Sequence, residues 1–131
     1  MSNSSKEITN KIVDSLEKDG PLFSFRLARE SCYMTDGNLF IKDLRIISRP
    51  IDSIVLVDDC SYSFGFHIDN GIPIIPFTGN KEDCELLLLA RYIDYLMRHD
   101  DIRKINREHF KMHMYMECKT VEEAYKKIFK D

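Results

Sequence analysis

The stretch Ile54-Val55-Leu56-Val57-Asp58-Asp59 decides the fold. Four apolar residues, three of them β-branched, follow one another without polar alternation. A strand of that kind is covered on both faces, as in a parallel α/β sheet. In such sheets ligands collect beyond the carboxyl ends of the strands, and this end carries two consecutive carboxylates. Asp58 and Asp59 are therefore placed to hold a hard cation. Magnesium takes one or two carboxylates and completes its shell with water and phosphate oxygens. The plainer alternative is an acidic turn, since Asp is common where strands end.

The neighbouring segments fill in the α/β pattern. Ile72-Pro73-Ile74-Ile75-Pro76-Phe77 is a second apolar run, and its prolines cannot donate to a ladder, which assigns it to a sheet edge. Upstream, Cys32-Tyr33-Met34-Thr35 and Leu39-Phe40-Ile41 flank Asp36-Gly37, a hairpin signal. Leu22 to Arg29 alternates in part and reads as a half-buried strand. Residues 6–19 read as a helix with Ile8, Ile12, Val13 and Leu16 on one face, stopped by Gly20-Pro21. Glu82 to Met97 is the longest helix candidate, and Leu86, Leu87, Leu88 and Leu89 give it a wide apolar face to pack on the sheet. A further helix starts at Asp100 or Asp101 and buries Ile102 and Ile105. Thr120-Val121-Glu122-Glu123 is a capping-box pattern opening a short helix through Tyr125, Ile128 and Phe129.

Composition narrows the function classes. Lys and Arg total 19 against 22 Asp and Glu, a formal charge of −3, which argues against a polyanion-coating role and direct nucleic-acid binding. No stretch approaches the roughly 18 apolar residues of a membrane span. The first residues lack the apolar core of a secretory signal, and Glu7, Asp14 and Glu17 do not suit a transit peptide. Cys32, Cys60, Cys84 and Cys118 are widely spaced, the pattern of reduced thiols in an intracellular protein.

Other clusters have plain readings. His109 and His113 are four apart and could share a helix face, but Phe110 stands where a zinc protease has Glu, so surface histidines are the better reading. Arg103, Arg107 and Lys111 share a helix face that could attract phosphate; Glu108 dilutes it, and most such stripes are solvated. Met112, Met114 and Met116 read as packing or tail residues. Cys60 follows two carboxylates that would raise its pKa, which favours a structural thiol over a nucleophile. Lys42, sixteen positions before Asp58, would be an ordinary surface lysine by itself. Beside a metal-bound phosphate it could instead neutralise a transferring phosphoryl group.

Taken in order, these segments resemble one family. They are Arg26-Leu27-Ala28-Arg29-Glu30-Ser31-Cys32, Lys42-Asp43-Leu44, Ile54 to Asp59, and Phe66-His67-Ile68-Asp69-Asn70-Gly71-Ile72. The Phe77-Thr78-Gly79 turn, Asp83 and Glu85 in the leucine-rich helix, and Asp100-Asp101-Ile102-Arg103 continue the match. The chain resembles the small CTD phosphatases, or NLI-interacting-factor-like phosphatases, of the haloacid dehalogenase superfamily, over about residues 6 to 110. The resemblance implies a partial haloacid-dehalogenase-like (Rossmannoid) three-layer α/β domain over residues 1–111, followed by a helical tail over 112–131. It implies a magnesium-dependent phosphoserine/phosphothreonine phosphatase of the RNA polymerase II CTD type, acting through an aspartyl-phosphate. Lys42 matches the lysine that contacts the phosphoryl group. Asp58 and Asp59 match the magnesium-side motif, where the small phosphatases commonly have Asp-Asn. Arg29 falls in the Arg-Glu-Ser-Cys stretch as a further substrate-phosphate contact.

One motif of the family is missing. Its first motif, Asp-x-Asp-x-Thr, carries the nucleophile on an N-terminal strand, and no such stretch occurs in these 131 residues. The expectation is a chain that begins about halfway through the family's domain and is inactive alone. Its Ile54 strand would pair with the Ile72 strand on one side and leave the other edge open for a completing chain or an oligomer. The partners implied are a phosphoprotein substrate or that completing chain, in the nucleus or cytoplasm. The alternative function is a non-catalytic binding or scaffold module, such as a mitochondrial translocase-receptor-like domain.

Overall fold

The computed structural model describes residues 1–128 and divides the chain into two units, Met1–Asp43 and Leu44–Asp131. Phe129, expected in the terminal helix, lies outside the described residues. The architecture is mixed α/β with two small sheets of two strands each.

The first unit opens with α1 (Lys6–Leu16). Ser5 caps it, its hydroxyl accepting from the Ile8 amide at 3.4 Å. The helix stops three residues short of the expected end because the Glu17 carboxylate turns away to bind the following loop. It accepts from the Leu22 and Phe23 amides, both at 2.9 Å, and pairs with Arg26, which also holds Asp14 at 2.6 Å. These bonds replace the ladder that a strand over 22–29 would have needed. That expected strand does not form, and Phe25 is left 85% exposed.

The hairpin does form. β1 (Tyr33–Met34) pairs antiparallel with β2 (Phe40–Ile41), with Tyr33 opposite Ile41. The Thr35 and Leu39 backbones close the loop, and the left-handed position (φ 59°) falls on Asn38 rather than Gly37. That is a three-residue turn, a type I turn followed by one left-handed residue, and Asn tolerates that conformation better than most side chains do.

In the second unit, β3 (Leu56–Asp58) pairs in parallel with β4 (Gly71–Pro73), Val57 lying opposite Ile72. Two 3-10 turns, Ser61–Phe64 and Ile68–Asn70, make the crossover. Leu56 packs with Leu44 and Phe64 on one face of the sheet. Val55 and Val57 pack against the Ile72, Leu96 and Ile102 cluster on the other. β3 is thus covered on both faces, as its lack of alternation predicts. Among the described residues its second edge pairs with no strand.

Two neighbours fix this pair. The Asn70 side chain, 2% exposed, donates to the carbonyls of Ile51 at 2.6 Å and Ile54 at 2.7 Å. It ties the turn before β3 to the start of β4, and β3 consequently begins at Leu56 rather than Ile54. Gly71 follows. A Cβ there would sit 2.6 Å from Phe64 Cγ, so only glycine lets the ring lie against the strand.

Helices α2 (Glu85–Leu96), α3 (Ile102–Phe110), α4 (Met112–Met116) and α5 (Val121–Ile128) complete the unit. Side-chain turns delay α2: Asn80 accepts from the Glu82 amide at 3.0 Å and Asp83 from the Glu85 amide at 2.9 Å. The four leucines do not act as one face. A helix turns 100° per residue, so four in a row point in different directions. Leu89 joins the core, while Leu86, Leu87 and Leu88 are 71%, 69% and 50% exposed. Asp101 caps α3, accepting from the Arg103 amide at 3.0 Å. Lys111, left-handed at φ 51°, breaks α3 from α4, and Met112 then packs under Phe64 and its neighbours. The capping pattern at Thr120 holds: its hydroxyl accepts from the Glu123 amide at 3.1 Å, and the Glu123 carboxylate accepts from the Lys119 amide at 2.8 Å. No helix of the described residues is long and apolar enough to cross a membrane.

Candidate functional site

The carboxyl end of β3 gathers the chemistry. Leu56 and Val57 anchor the strand in the two core clusters and so fix where Asp58 emerges. Asp58 is half-buried and its Oδ1 accepts from the Cys60 amide at 2.9 Å, which folds the strand end into an Asx turn. The turn brings one carboxylate oxygen from Asp58, one from Asp59 and the Cys60 sulfur within 4.8 Å of one another. Two convergent carboxylate oxygens suit a hard, oxygen-seeking cation such as magnesium. The sulfur suits softer ions and adds little for this one. The donor set therefore fits magnesium through Asp58 and Asp59, with Asp59 exposed and open to water and phosphate oxygens.

Tyr62 belongs to the same turn and was not foreseen from sequence. A hydrogen bond with the Cys60 side chain and the electrostatic influence of that group raise its phenol pKa above the ordinary value, and Asp58 and Asp59 add to the effect. Tyr62 stays a protonated donor beside the carboxylates. Its sole advance signal is its place four residues after Asp58.

The remaining candidates lie elsewhere. Lys42, directly after β2 in the first unit, is 7% exposed. Lysine reaches that burial almost only when its ammonium has partners, which does not fit a plain surface lysine. Arg29 is exposed, but its guanidinium is engaged: Nε donates to the Asn3 carbonyl at 2.7 Å and the group stacks 4.9 Å over the Phe40 ring. Those contacts fasten the chain start to the hairpin. His109 and His113 do not share a helix face, because Lys111 separates α3 from α4. His109 instead meets Tyr92, whose hydroxyl lies 3.1 Å from Nδ1 and donates to Asn106 at 2.9 Å. Burial pushes the Tyr92 phenol up to about 12, so it remains a donor in that core network. Arg107 pairs with Asp69 at 3.1 Å and Arg103 with Asp101 at 2.9 Å, so both are engaged in holding α3. All four cysteines are free thiols.

Comparison with known proteins places this arrangement. The sequence pattern of the NLI interacting factor-like phosphatase family matches residues 1–103. The CTD small phosphatase-like protein 2 of Dictyostelium discoideum is 36% identical over 104 residues, covering 79% of this chain and 18% of that protein. The human carboxy-terminal domain RNA polymerase II polypeptide A small phosphatase 1 is 35% identical over 97 residues, covering 74% of this chain and 36% of that protein. Nuclear envelope morphology protein 1 of Saccharomyces cerevisiae is 29% identical over 113 residues, covering 78% of this chain and 25% of that protein. The chain thus spans well under half the length of these curated relatives. A family pattern running from the hairpin through β3, β4 and α2 into α3 means that the chain belongs to the NLI interacting factor-like phosphatases.

Proposed function

We propose that this chain supplies the metal-side half of a magnesium-dependent phosphoserine/phosphothreonine phosphatase domain with the haloacid-dehalogenase fold. The observation that carries this reading is the convergence of the Asp58 and Asp59 carboxylates at the carboxyl end of β3. Those two residues would hold the cation, which when bound neutralises charge on phosphoryl oxygens. Tyr62 presents a hydroxyl donor beside them. Lys42 would add a second positive charge at the phosphoryl group, and Arg29 an outer contact with substrate. No Asp-x-Asp-x-Thr stretch is present to supply the attacking carboxylate. The 131 residues therefore bind the cation without turning over substrate, and phosphoprotein hydrolysis requires a second polypeptide segment carrying the nucleophile.

The experiment pairs two readouts on the 131-residue chain. Manganese binding followed by electron paramagnetic resonance, with magnesium competition, should show a site that Asp58→Asn weakens by about tenfold or more. Hydrolysis of p-nitrophenyl phosphate with magnesium should not exceed the blank. Absence of any metal site would overturn the role of Asp58 and Asp59. Turnover that disappears in Asp58→Asn would overturn the need for a second segment.

A scaffold reading rests on a different observation, the second edge of β3, which pairs with no strand among the described residues. An interior-type strand left at an edge is a template for an incoming strand. Both readings call for a completing polypeptide and differ in whether the completed assembly hydrolyses phosphate.

A further inference from the structure

Two apolar surfaces stand out beyond the metal-side turn. On α1, Ile8, Ile12 and Leu16 are 52%, 53% and 55% exposed. Their spacing of four places them in one stripe along the helix. The buried position of α1 is Thr9, so the helix packs on its own unit through another side and leaves its apolar stripe outward. On the second unit, a groove of about 320 Å³ lies between β4, α2 and α3. Ile72, Ile74, Leu88, Leu89 and Phe110 make it apolar, and Glu85 adds one carboxylate to its lining.

The groove is built for a helix rather than a strand. The Ile74 amide donates inward to the Asp58 carbonyl at 3.1 Å. By the alternation of a strand, the backbone of Pro73 therefore faces the outer edge, and Pro73 has no N–H to offer. An added strand would miss a donor there. An apolar helix face laid into a groove uses side chains alone, anchored at positions four apart.

Charge selects among helices. Glu85 has no ion pair or side-chain hydrogen bond among the described residues. Lys11 flanks the α1 stripe, 74% exposed and held by Glu7 in a surface pair one turn away. Such pairs are weakly held and exchange readily. We propose that this groove receives α1 of a second copy of the chain, with Ile8, Ile12 and Leu16 in the groove and Lys11 reaching Glu85. The contact is heterologous, one surface meeting a different one. It is independent of the phosphatase reading, since none of its residues belongs to the metal-side turn.

That asymmetry gives a decisive test by sedimentation velocity on the full chain. Wild type associates as concentration rises. Ile12→Asp spoils the stripe and leaves the groove intact, while Leu88→Asp does the reverse. Each variant alone sediments as a monomer with an unchanged circular dichroism spectrum. Mixed in equal amounts they recover a 1:1 complex, because one supplies the stripe and the other the groove. Lys11→Glu and Glu85→Lys each weaken association at an unchanged circular dichroism spectrum, and the double variant restores it. A wild type that stays monomeric throughout, or a mixture that stays monomeric, overturns the proposal. So does charge reversal without effect. A dimer that both aspartate variants leave intact would locate the interface on another surface and overturn it equally.

Discussion

Replacing Gly71 with alanine tests the central packing. The added Cβ would lie 2.6 Å from Phe64 Cγ, 2.7 Å from Cδ1 and 2.9 Å from Met112 Cε. The Met112 methyl ends a flexible side chain and can swing aside. The Phe64 ring cannot, because it is 1% exposed and wedged against Leu44 and Leu56. Relief must come from moving β4 or the ring, and both disturb the cluster that covers one face of β3. Overpacking of this kind costs about 1–3 kcal/mol. Taking about 2 kcal/mol, and roughly 4–8 °C per kcal/mol for a unit of this size, Tm should fall by about 8–16 °C. Thermal unfolding followed by circular dichroism measures it. Adding Phe64→Ala removes the clashing Cγ and Cδ1, so the double variant should lose less than the two single losses combined, by about 1 kcal/mol or more. A Gly71→Ala protein that melts within about 2 °C of wild type, or a strictly additive double variant, would refute the close approach of ring and strand.

Three further outcomes follow from named contacts. Asn70→Ala leaves the carbonyls of Ile51 and Ile54 without their donor; at about 1–3 kcal/mol for each buried group left unsatisfied, urea unfolding should show a loss of about 2–6 kcal/mol, and a loss near zero would mean that water replaces the clamp. Lys111→Gly relieves a left-handed residue between α3 and α4 and should stabilise by about 1 kcal/mol, read as a higher urea midpoint. The side-chain hydrogen bonds from Arg103 hold the Asp101 carboxyl at about 2, below its ordinary 3.8. A depressed carboxyl supports the fold above its unfolded-state pKa and loses that support as pH falls through the folded one. The stability gap between wild type and Asp101→Asn should therefore narrow from about pH 4 down to about pH 2 and be constant above it; a gap that persists at pH 2 would remove the ion pair from the account.

The parts of the fold legible in the sequence are those where one local signal suffices. A run of four apolar residues marked β3 as covered on both faces, and Asp-Gly between apolar runs marked the hairpin. Asp101 and Thr120 announced their helices through hydrogen bonds spanning two or three residues. The misreadings share a different cause. The strand expected over 22–29 is undone by Glu17, a carboxylate whose target amides lie five and six residues away, and alternation says nothing about such a competitor. The leucine run shows hydrophobicity without direction, so it did not reveal which leucine meets the core. The break at Lys111 has no glycine or proline to signal it, and it separates His109 from His113.

The site was legible for a related reason. Asp58 and Asp59 are adjacent in sequence, and the turn that makes their oxygens converge is closed within two residues by the Cys60 amide. Nothing distant is needed to form that pair, so a sequence can display it. Lys42 is the opposite case: its burial is a tertiary property, and an isolated lysine in a sequence carries no mark of being 7% exposed. The same division explains why the exposed leucines of α2 misled a reading based on hydrophobicity alone. Amphipathic period shows that a face needs cover and is silent on which polypeptide provides it.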